Sequence, residues 1–172
     1  MAAWQWAYRG LVPQGYLDRM DPDDPDRLAW RRHLLAEPPD RAATLVAVDG
    51  AELVGFSHVG PYRPDDQHPD RTGEHPAGGG ELYAIYQLPE RYRTGVGRAL
   101  MDAAVALLRE RGLTPIRLWA LVDNARALAF YHRYGFRDDG GRGTFTIEQP
   151  GELPVELLEL RLTFADAGRL PG

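Results

Sequence analysis

The sequence predicts an α+β fold (α/β/α) in which helices flank a mixed, mostly antiparallel sheet. Three observations lead to this prediction. Two β-rich runs are joined by Asp49-Gly50, a strong hairpin signal because a tight primed turn requires positive φ. Two later segments carry apolar residues at helical spacing and end in glycine. The predicted order is helices, three strands, helix, strand, helix and two strands, in a single domain over residues 1–172.

The first half of the predicted domain contains two helices and the hairpin. Apolar residues at helical spacing begin at Trp4, so the chain enters in an amphipathic helix that Gly10 interrupts. The segment RLAWRRHLLAE is a second helix, stopped by Pro38. The runs ATLVAV and AELVGFSHV are the two hairpin strands. Residues 61–80 have almost no apolar content and are rich in proline and glycine, which predicts a long flexible loop.

The second half of the domain alternates strands and helices. ELYAIYQL is predicted as a strand, and the helix after it has an apolar face that includes Leu100, Ala103 and Leu107. Gly112 caps that helix. IRLWALV is the next strand, and DNARALAFYHRYG forms a helix that starts at Asp123 or Asn124. GTFTIEQ and VELLELRLTF are predicted to pair as a closing hairpin.

Composition excludes several classes of function. The chain has 172 residues, is 44% hydrophobic and carries a formal net charge of −5 without a basic segment. A general binder of nucleic acid or anionic membrane is therefore not expected, although a few local arginines could hold a small anion. The absence of cysteine excludes disulfides, thiolate metal sites and a cysteine nucleophile. Without a bilayer-length apolar run or a signal-peptide pattern, a soluble cytoplasmic protein is expected.

A glycine-rich turn before the third predicted helix has the features of an anion site. The first N–H groups of a helix have no internal partner and carry partial positive charge. Gly95 and Gly97 lack a Cβ, and Arg93 and Arg98 add charge. The alternative is that the two glycines serve only the turn and the helix packing. A Walker A loop and a dinucleotide fingerprint are both excluded, because Arg98 follows Gly97 and Leu100 occupies the third glycine position.

Two motifs resemble the signatures of the GNAT family of N-acetyltransferases. The turn, Tyr92-Arg93-Thr94-Gly95-Val96-Gly97, resembles that family's acetyl-CoA loop, Gln/Arg-x-x-Gly-x-Gly/Ala. Downstream, NARALAFYHRYGF resembles the second signature, with Asn124, Tyr131, Gly135 and Phe136 at matching positions. The resemblance covers roughly residues 43–164. The chain departs from the pattern at Tyr92 and at its start, where it enters in a helix and the family's usual first strand is not seen. Either the start is truncated or that strand is truly missing, and an exposed sheet edge is then expected.

The resemblance implies acetyl-CoA as co-substrate and assigns residues to it. Backbone amides of the turn would hold the pyrophosphate, and a strand edge would bind the pantetheine arm. The implied cofactor-binding residues are Ile85, Tyr86 and Gln87 on the strand, Arg93, Thr94, Gly95, Val96, Gly97 and Arg98 in the turn, and Asn124. No metal is expected, because His68 and His75 lie among acidic residues at spacings that match no compact site.

Acetyl transfer to an amine requires removal of a proton from an ammonium of pKa ~10, and a proton for the leaving thiolate. Without a cysteine, direct attack in a ternary complex is the simplest route. The resemblance makes Tyr131 the candidate acid, although its helical stripe with Phe130 and Tyr134 also fits core packing. Glu81 is the candidate base, and a solvated strand-end glutamate is its alternative. His58 or a water chain could take the same role.

Two functions remain open from the sequence. The first is an acyltransferase that moves an acetyl group from acetyl-CoA to a primary amine of a small molecule or peptide. The alternative is a non-catalytic acyl-CoA-binding sensor or regulatory module. Trp4, Tyr8, Leu11 and Tyr16 could line an amine pocket or pack as core. Neither nucleic acid nor membrane is expected as a partner, and homodimer formation is left open.

Overall fold

The computed structural model describes residues 2–63, 78–148, 151 and 153–164. Within these residues the order of helices and strands is the predicted one, with an additional short helix near the start. The helices are α1 (Ala2–Tyr8), α2 (Gln14–Asp18), α3 (Pro25–Ala36), α4 (Val96–Glu110) and α5 (Ala125–Tyr134). The strands are β1 (Ala43–Asp49), β2 (Glu52–Pro61), β3 (Gly80–Gln87), β4 (Ile116–Leu121), β5 (Arg137–Ile147) and β6 (Val155–Phe164).

The strands form a six-stranded sheet in the order β1-β2-β3-β4-β6-β5. The pairs β1–β2, β4–β6 and β5–β6 are antiparallel, and β3–β4 is parallel. Strand β2 runs antiparallel to β3, since the N–H of Leu88 donates to the carbonyl of Val54 and that of Tyr62 to the carbonyl of Gly79. The predicted mixed, mostly antiparallel sheet is confirmed, with β1 as an edge strand.

The chain divides into two compact units, each with its own apolar core. Unit 1 is Met1–Gly60 with Leu82–Arg111, and unit 2 is Pro61–Glu81 with Gly112–Gly172. The single domain expected over residues 1–172 remains a prediction. Among the helices that the structure describes, none has the length and apolar content needed to cross a membrane.

In unit 1, helix α4 supplies much of the core. Its buried residues lie at helical spacing on one face, whereas Ala103, predicted to be on that face, is exposed. The apolar face is therefore rotated toward Met101 and Val105, which the sequence analysis left out. The helix begins after Gly95 and is followed by Gly112, whose φ is +66°. The buried residues are Leu100, Met101, Ala104, Val105 and Leu108.

Local signals account for the hairpin and for α3. Gly50 adopts φ +61° between β1 and β2, as the primed turn requires. At the start of α3, the Asp24 side chain accepts a hydrogen bond from the N–H of Arg27 at 2.8 Å, so the helix begins two residues before the predicted segment. Helix α2 was not predicted, because five residues that begin with Gln14 are too short to show a helical period.

The segment predicted as a loop contributes both of its ends to the sheet. Pro61 lies in β2 and Gly80 in β3, and the N–H of Tyr62 donates to the carbonyl of Gly79 at 3.0 Å. The predicted bounds of 61–80 were therefore too wide. Residues 64–77, including His68 and His75, lie outside the described residues.

In unit 2, strand β5 begins earlier than predicted. The pairs Asp138↔Leu162 and Arg142↔Leu160 are separated by a register shift, and Gly140 between them adopts φ +88°. Two aspartates followed by two glycines, as at residues 138–141, are typical of a turn. Here they form a bulge, and strand β5 continues through it. The core beneath contains the stacked rings of Tyr134, Phe136 and Phe164.

The bulge in β5 places Asp139 beside Arg161, which is buried and only 1% exposed. The Arg161 Nε donates to both carboxylate oxygens of Asp139 at 2.9 Å, and its Nη1 donates to the Tyr62 hydroxyl at 3.1 Å. The Tyr62 ring also lies 4.9 Å from the guanidinium carbon of Arg117. Burial opposes the charge of Arg161, but hydrogen bonds with Tyr62 and Asp139 outweigh it, so the pKa of Arg161 is raised.

We expect Arg161→Ala to lower the free energy of unfolding by about 3 kcal/mol, because it empties the volume of a buried side chain and removes that side chain's hydrogen bonds with Asp139 and Tyr62. Urea denaturation followed by circular dichroism measures this loss. Arg142→Ala is the control, since Arg142 forms an exposed ion pair with Asp138 at 2.9 Å and such pairs contribute little. Equal, small effects of the two substitutions would contradict the importance assigned to the buried Arg161 side chain.

Candidate active site

The turn before α4 has the backbone conformation of an anion-binding site. Arg93 and Gly95 both adopt positive φ, +64° and +96°, and Gly95 is the N-cap of α4. The amides of Val96 and Gly97 open the helix, where N–H groups have no intrahelical acceptor. A Cβ built on Gly95 would meet nothing within 4 Å, so the turn requires glycine for its φ and faces open space. An anion can therefore approach these amides.

Arginines at both ends of this turn form surface ion pairs within unit 1. The Arg98 Nε donates to both carboxylate oxygens of Asp102, one helical turn later, at 3.0 and 3.1 Å. Before the turn, Arg91 pairs with Asp49 at 2.8 Å and with Glu52 at 2.9 Å, at the tip of the β1–β2 hairpin. The hydrogen bond with Glu52 and the charge of Asp49 raise the pKa of Arg91. Arg91, which the sequence analysis missed, thus ties the turn to the sheet.

Strand β3 contains one more residue than the facing part of β2. The ring of Tyr83 contacts His58 with centroids 5.2 Å apart, and the ring of Tyr86 contacts Phe56 at 5.6 Å. His58 and Phe56 are two positions apart on β2 and share a face. Tyr83 and Tyr86 therefore lie on that same face, although they are three positions apart on β3. The extra residue is a β-bulge, a feature common beside active sites. Regular alternation along β3 therefore ends at Tyr83.

The strand residues assigned to the cofactor follow this bulge. Ile85, Tyr86 and Gln87 are half-buried at the end of β3. Among the described residues, β3 pairs with β4 at Gly80 and Glu81, and this pairing ends before Ile85. The Gln87 Oε1 is buried and accepts no hydrogen bond from any described residue.

The second signature lies in unit 2, on helix α5. Asn124 is the N-cap of α5, and its Oδ1 accepts a hydrogen bond from the N–H of Ala127 at 3.1 Å. Tyr131 is half-buried and makes an edge contact with the Phe136 ring, with centroids 6.1 Å apart. Tyr134 is buried, as expected of a core residue. Asn124 therefore has a structural role in starting α5, and its role toward the cofactor remains a prediction.

Glu81 is buried in unit 2 and paired with Arg63. Glu81 is only 1% exposed, and its Oε1 lies 2.5 Å from the Arg63 Nη2. The Arg63 Nε lies 3.2 and 3.3 Å from the two carboxylate oxygens, and the Arg63 backbone N–H donates to Oε2 at 3.0 Å. The alternative of a solvated strand-end glutamate is therefore wrong. The role of Glu81 as a base is not decided by this contact.

His58 and the first helix lie together in unit 1. The His58 Nδ1 is 2.9 Å from the Thr44 hydroxyl, which sets the orientation of the ring. Across the same face, the hydroxyls of Tyr8 and Tyr86 are 3.1 Å apart. Of the residues proposed for an amine pocket, Trp4, Tyr8, Leu11 and Tyr16 are all half-buried rather than part of the core.

Three arginines of unit 2 that contact Tyr62 or Glu81 were not predicted from the sequence. Arg117 and Arg161 are buried on strands, and Arg63 follows β2. For Arg117, a charged residue within the otherwise apolar run IRLWAL was the available signal. Among the described residues, no three histidine, aspartate or glutamate side chains gather as a metal site would require.

The fold is therefore of the α+β class, a mixed six-stranded sheet in which β3 is followed by a helix, α4, that opens on a left-handed glycine. The chain belongs to the Acetyltransferase (GNAT) family, whose sequence profile matches residues 2–136. The resemblance seen in the two motifs is thereby confirmed.

Individual relatives agree with this family. The uncharacterized N-acetyltransferase YuaI of Bacillus subtilis is 27% identical over 132 residues, which cover 77% of this chain and 67% of that protein. A mycothiol acetyltransferase of Geodermatophilus obscurus is 33% identical over 65% of this chain, which spans only 36% of that relative. The crystal structure of the PaiA N-acetyltransferase of Thermoplasma acidophilum, in complex with coenzyme A, has the same fold. Its TM-score is 0.63 at 18% identity, with 95% of this chain and 87% of that chain covered.

Proposed function

We propose that this chain transfers the acetyl group of acetyl-CoA to a primary amine of a small molecule or peptide, by direct attack in a ternary complex. The observation that carries the proposal is the turn before α4, with left-handed Gly95 and open helix amides, in a chain of the acetyltransferase family. The CoA pyrophosphate would lie on the amides of residues 93–98, and the pantetheine arm beside Ile85–Gln87.

In the proposed reaction the amine nitrogen attacks the thioester carbonyl, and the carbon–sulfur bond breaks. The base takes the proton of the amine, and the thiolate, whose parent thiol has a pKa of about 8.5 by analogy with cysteine, takes a proton from the acid. We assign the acid to Tyr131 and the base to Glu81. Arg63 donates to both Glu81 oxygens, so a proton can reach Glu81 only at a lone pair that these hydrogen bonds leave free, or after one of the bonds opens. His58 is the alternative base, since Thr44 already orients its ring.

Calorimetric titration with acetyl-CoA, combined with a thiol-release assay on a panel of amines, tests this function. Micromolar binding together with amine-dependent thiol release supports the enzyme. Binding without turnover of any amine supports the alternative function, a non-catalytic acyl-CoA-binding sensor or regulatory module. Absence of binding by the folded chain contradicts both.

We expect Tyr131→Phe to lower kcat about a hundredfold with acetyl-CoA affinity unchanged within about twofold, because only the proton donor is lost. A thiolate can leave without complete protonation, so the expected loss of kcat lies at the lower end of the range for general acid catalysis. Steady-state kinetics and calorimetry measure the two quantities. Phe130→Leu, a neighbouring ring in the same helix, is the control for packing. Unchanged kcat in Tyr131→Phe would remove Tyr131 from the chemistry.

Other properties of the chain remain proposals. We propose a cytoplasmic location and partners limited to acetyl-CoA and the amine acceptor, without nucleic acid or membrane. Homodimer formation is left to measurement, and sedimentation velocity of the purified chain would decide it.

A further inference from the structure

Within unit 1, the first helix packs on the segment that leads into the glycine turn before α4. The ring of Trp6, on α1, contacts the ring of Tyr92 with centroids 5.5 Å apart and planes inclined at 59°. Helix α1 also lies against the short helical turn Pro89–Arg91, which comes directly before Tyr92. Tyr92 is the first residue of the motif that contains the glycine turn. Trp6 therefore contacts the start of the proposed phosphate site, although 86 positions of sequence, from 6 to 92, separate the two rings.

Helix α1 is itself fixed at two further points. The Gln5 Nε2 donates a hydrogen bond to the carbonyl of the buried Leu17 at 3.0 Å, and the hydroxyls of Tyr8 and Tyr86 are 3.1 Å apart. A helix of seven residues is too short to be stable alone, so contacts of this kind keep α1 in place. A ring carried on a helix fixed in this way can restrict the movement of the ring that it touches.

The turn that follows Tyr92 has a backbone conformation that needs support. Arg93 adopts φ +64°, a left-handed value that is unfavourable for a residue with a Cβ and persists only where neighbouring contacts determine it. The Tyr92 ring centroid lies 6.0 Å from the guanidinium carbon of Arg93, within reach of a cation–π interaction. Tyr92 thus contacts Trp6 on α1 and the Arg93 side chain in the turn, so the position of the Trp6 ring bears on the conformation of Arg93.

We infer that Trp6 is a positioning residue for the pyrophosphate of acetyl-CoA. Its ring holds Tyr92, and thereby keeps Arg93 and the amides after Gly95 in the conformation that receives the phosphates. This inference rests on the proposed function. Because Trp6 acts through Tyr92, its loss should weaken binding of the acyl donor and leave the chemical step unchanged. If the receptive conformation falls to about a tenth of the population, the apparent Kd for acetyl-CoA rises about tenfold.

Calorimetric titration with acetyl-CoA gives the first test. We expect Trp6→Ala to raise the Kd about tenfold, and Trp6→Phe, which keeps a ring against Tyr92, to stay within about twofold of the wild type. With any amine that the wild type acetylates, Trp6→Ala should raise KM for acetyl-CoA about tenfold and keep kcat within about twofold. Trp30→Ala is the matched control, since Trp30 is 61% exposed on α3, and its Kd should equal that of the wild type.

A double-mutant cycle tests whether Trp6 acts through Tyr92. We expect Tyr92→Ala alone to raise the Kd about tenfold, and the double variant with Trp6→Ala to show about the same tenfold rise, because one contact can be lost only once. A rise of about a hundredfold in the double variant would mean that the two side chains act independently, and would overturn the inference.

The remaining outcomes separate this inference from the proposed function. An unchanged Kd in Trp6→Ala, or a loss of kcat without a change in KM for acetyl-CoA, would overturn the positioning role and leave the acetyltransferase intact. If Trp6→Ala fails to fold, as judged by circular dichroism, Trp6→Leu takes its place, and a Kd equal to that of the wild type would overturn the role in the same way. Failure of the wild-type chain to bind acetyl-CoA would overturn the proposed function first.

Discussion

Acetyl-CoA affinity is expected to fall at least about a thousandfold in the Gly97→Glu variant. Gly97 is the second residue of α4, beside the amides proposed to hold the pyrophosphate. A carboxylate placed there would lie within about 4 Å of phosphate charge, a repulsion of about 4 kcal/mol at a surface dielectric, and each 1.36 kcal/mol is tenfold. Isothermal titration calorimetry with acetyl-CoA measures the loss.

The fold of this variant should be intact, because a negative charge in the first turn of a helix interacts favourably with the helix dipole. Ala103→Glu is the control, since it adds the same charge at an exposed position in the middle of α4. Its affinity for acetyl-CoA should equal that of the wild type. Tight binding by Gly97→Glu would show that the phosphate lies elsewhere and that the turn serves only the scaffold.

Glu81→Gln is expected to lower kcat about a thousandfold near neutral pH, while acetyl-CoA binds normally. Without the carboxylate, reaction depends on the small unprotonated fraction of an amine of pKa ~10. The rate of the variant should therefore rise about tenfold per pH unit up to that value, approaching the wild-type rate at high pH. Initial rates between neutral and strongly alkaline pH give this profile.

Arg63→Ala distinguishes a base from a structural partner. Arg63 forms an ion pair and hydrogen bonds with the Glu81 carboxylate. If Glu81 served only that contact, Arg63→Ala would reproduce the loss of activity seen in Glu81→Gln. If Glu81 is the base, Arg63→Ala should retain kcat within about tenfold, and Glu81→Gln alone should show rescue at high pH. Lack of rescue would move the role to His58 or to water.

The elements that the sequence predicted correctly are those with local causes. The hairpin at Asp49-Gly50 needs only a residue that tolerates positive φ between two β-rich runs, and Gly50 adopts φ +61°. The helix after Gly95 and the helix that Asn124 caps depend on side chains within a few residues of each end. The two family signatures are equally local, so the acetyltransferase family could be inferred from short motifs and was then confirmed.

The contacts that the sequence did not predict join residues distant along the chain. Arg63 and Glu81 are 18 residues apart, and Tyr62 and Arg161 are 99 apart. No local pattern states which strand will lie beside which, so neither the burial of Glu81 nor its partner could be derived. The same holds for the extra residue of β3, since a bulge is defined only against the strand that it faces.

By itself, the sequence determined the family, the order of the strands and longer helices, and the glycine turn, because those depend on conformational preferences of neighbouring residues. Tertiary structure alone decided the ion pair of Glu81 and the contact of the Tyr86 ring with Phe56. Both come from the pairing of chain segments that are distant in sequence, and their separation in sequence carries no signal. The proposed chemistry depends on that pairing.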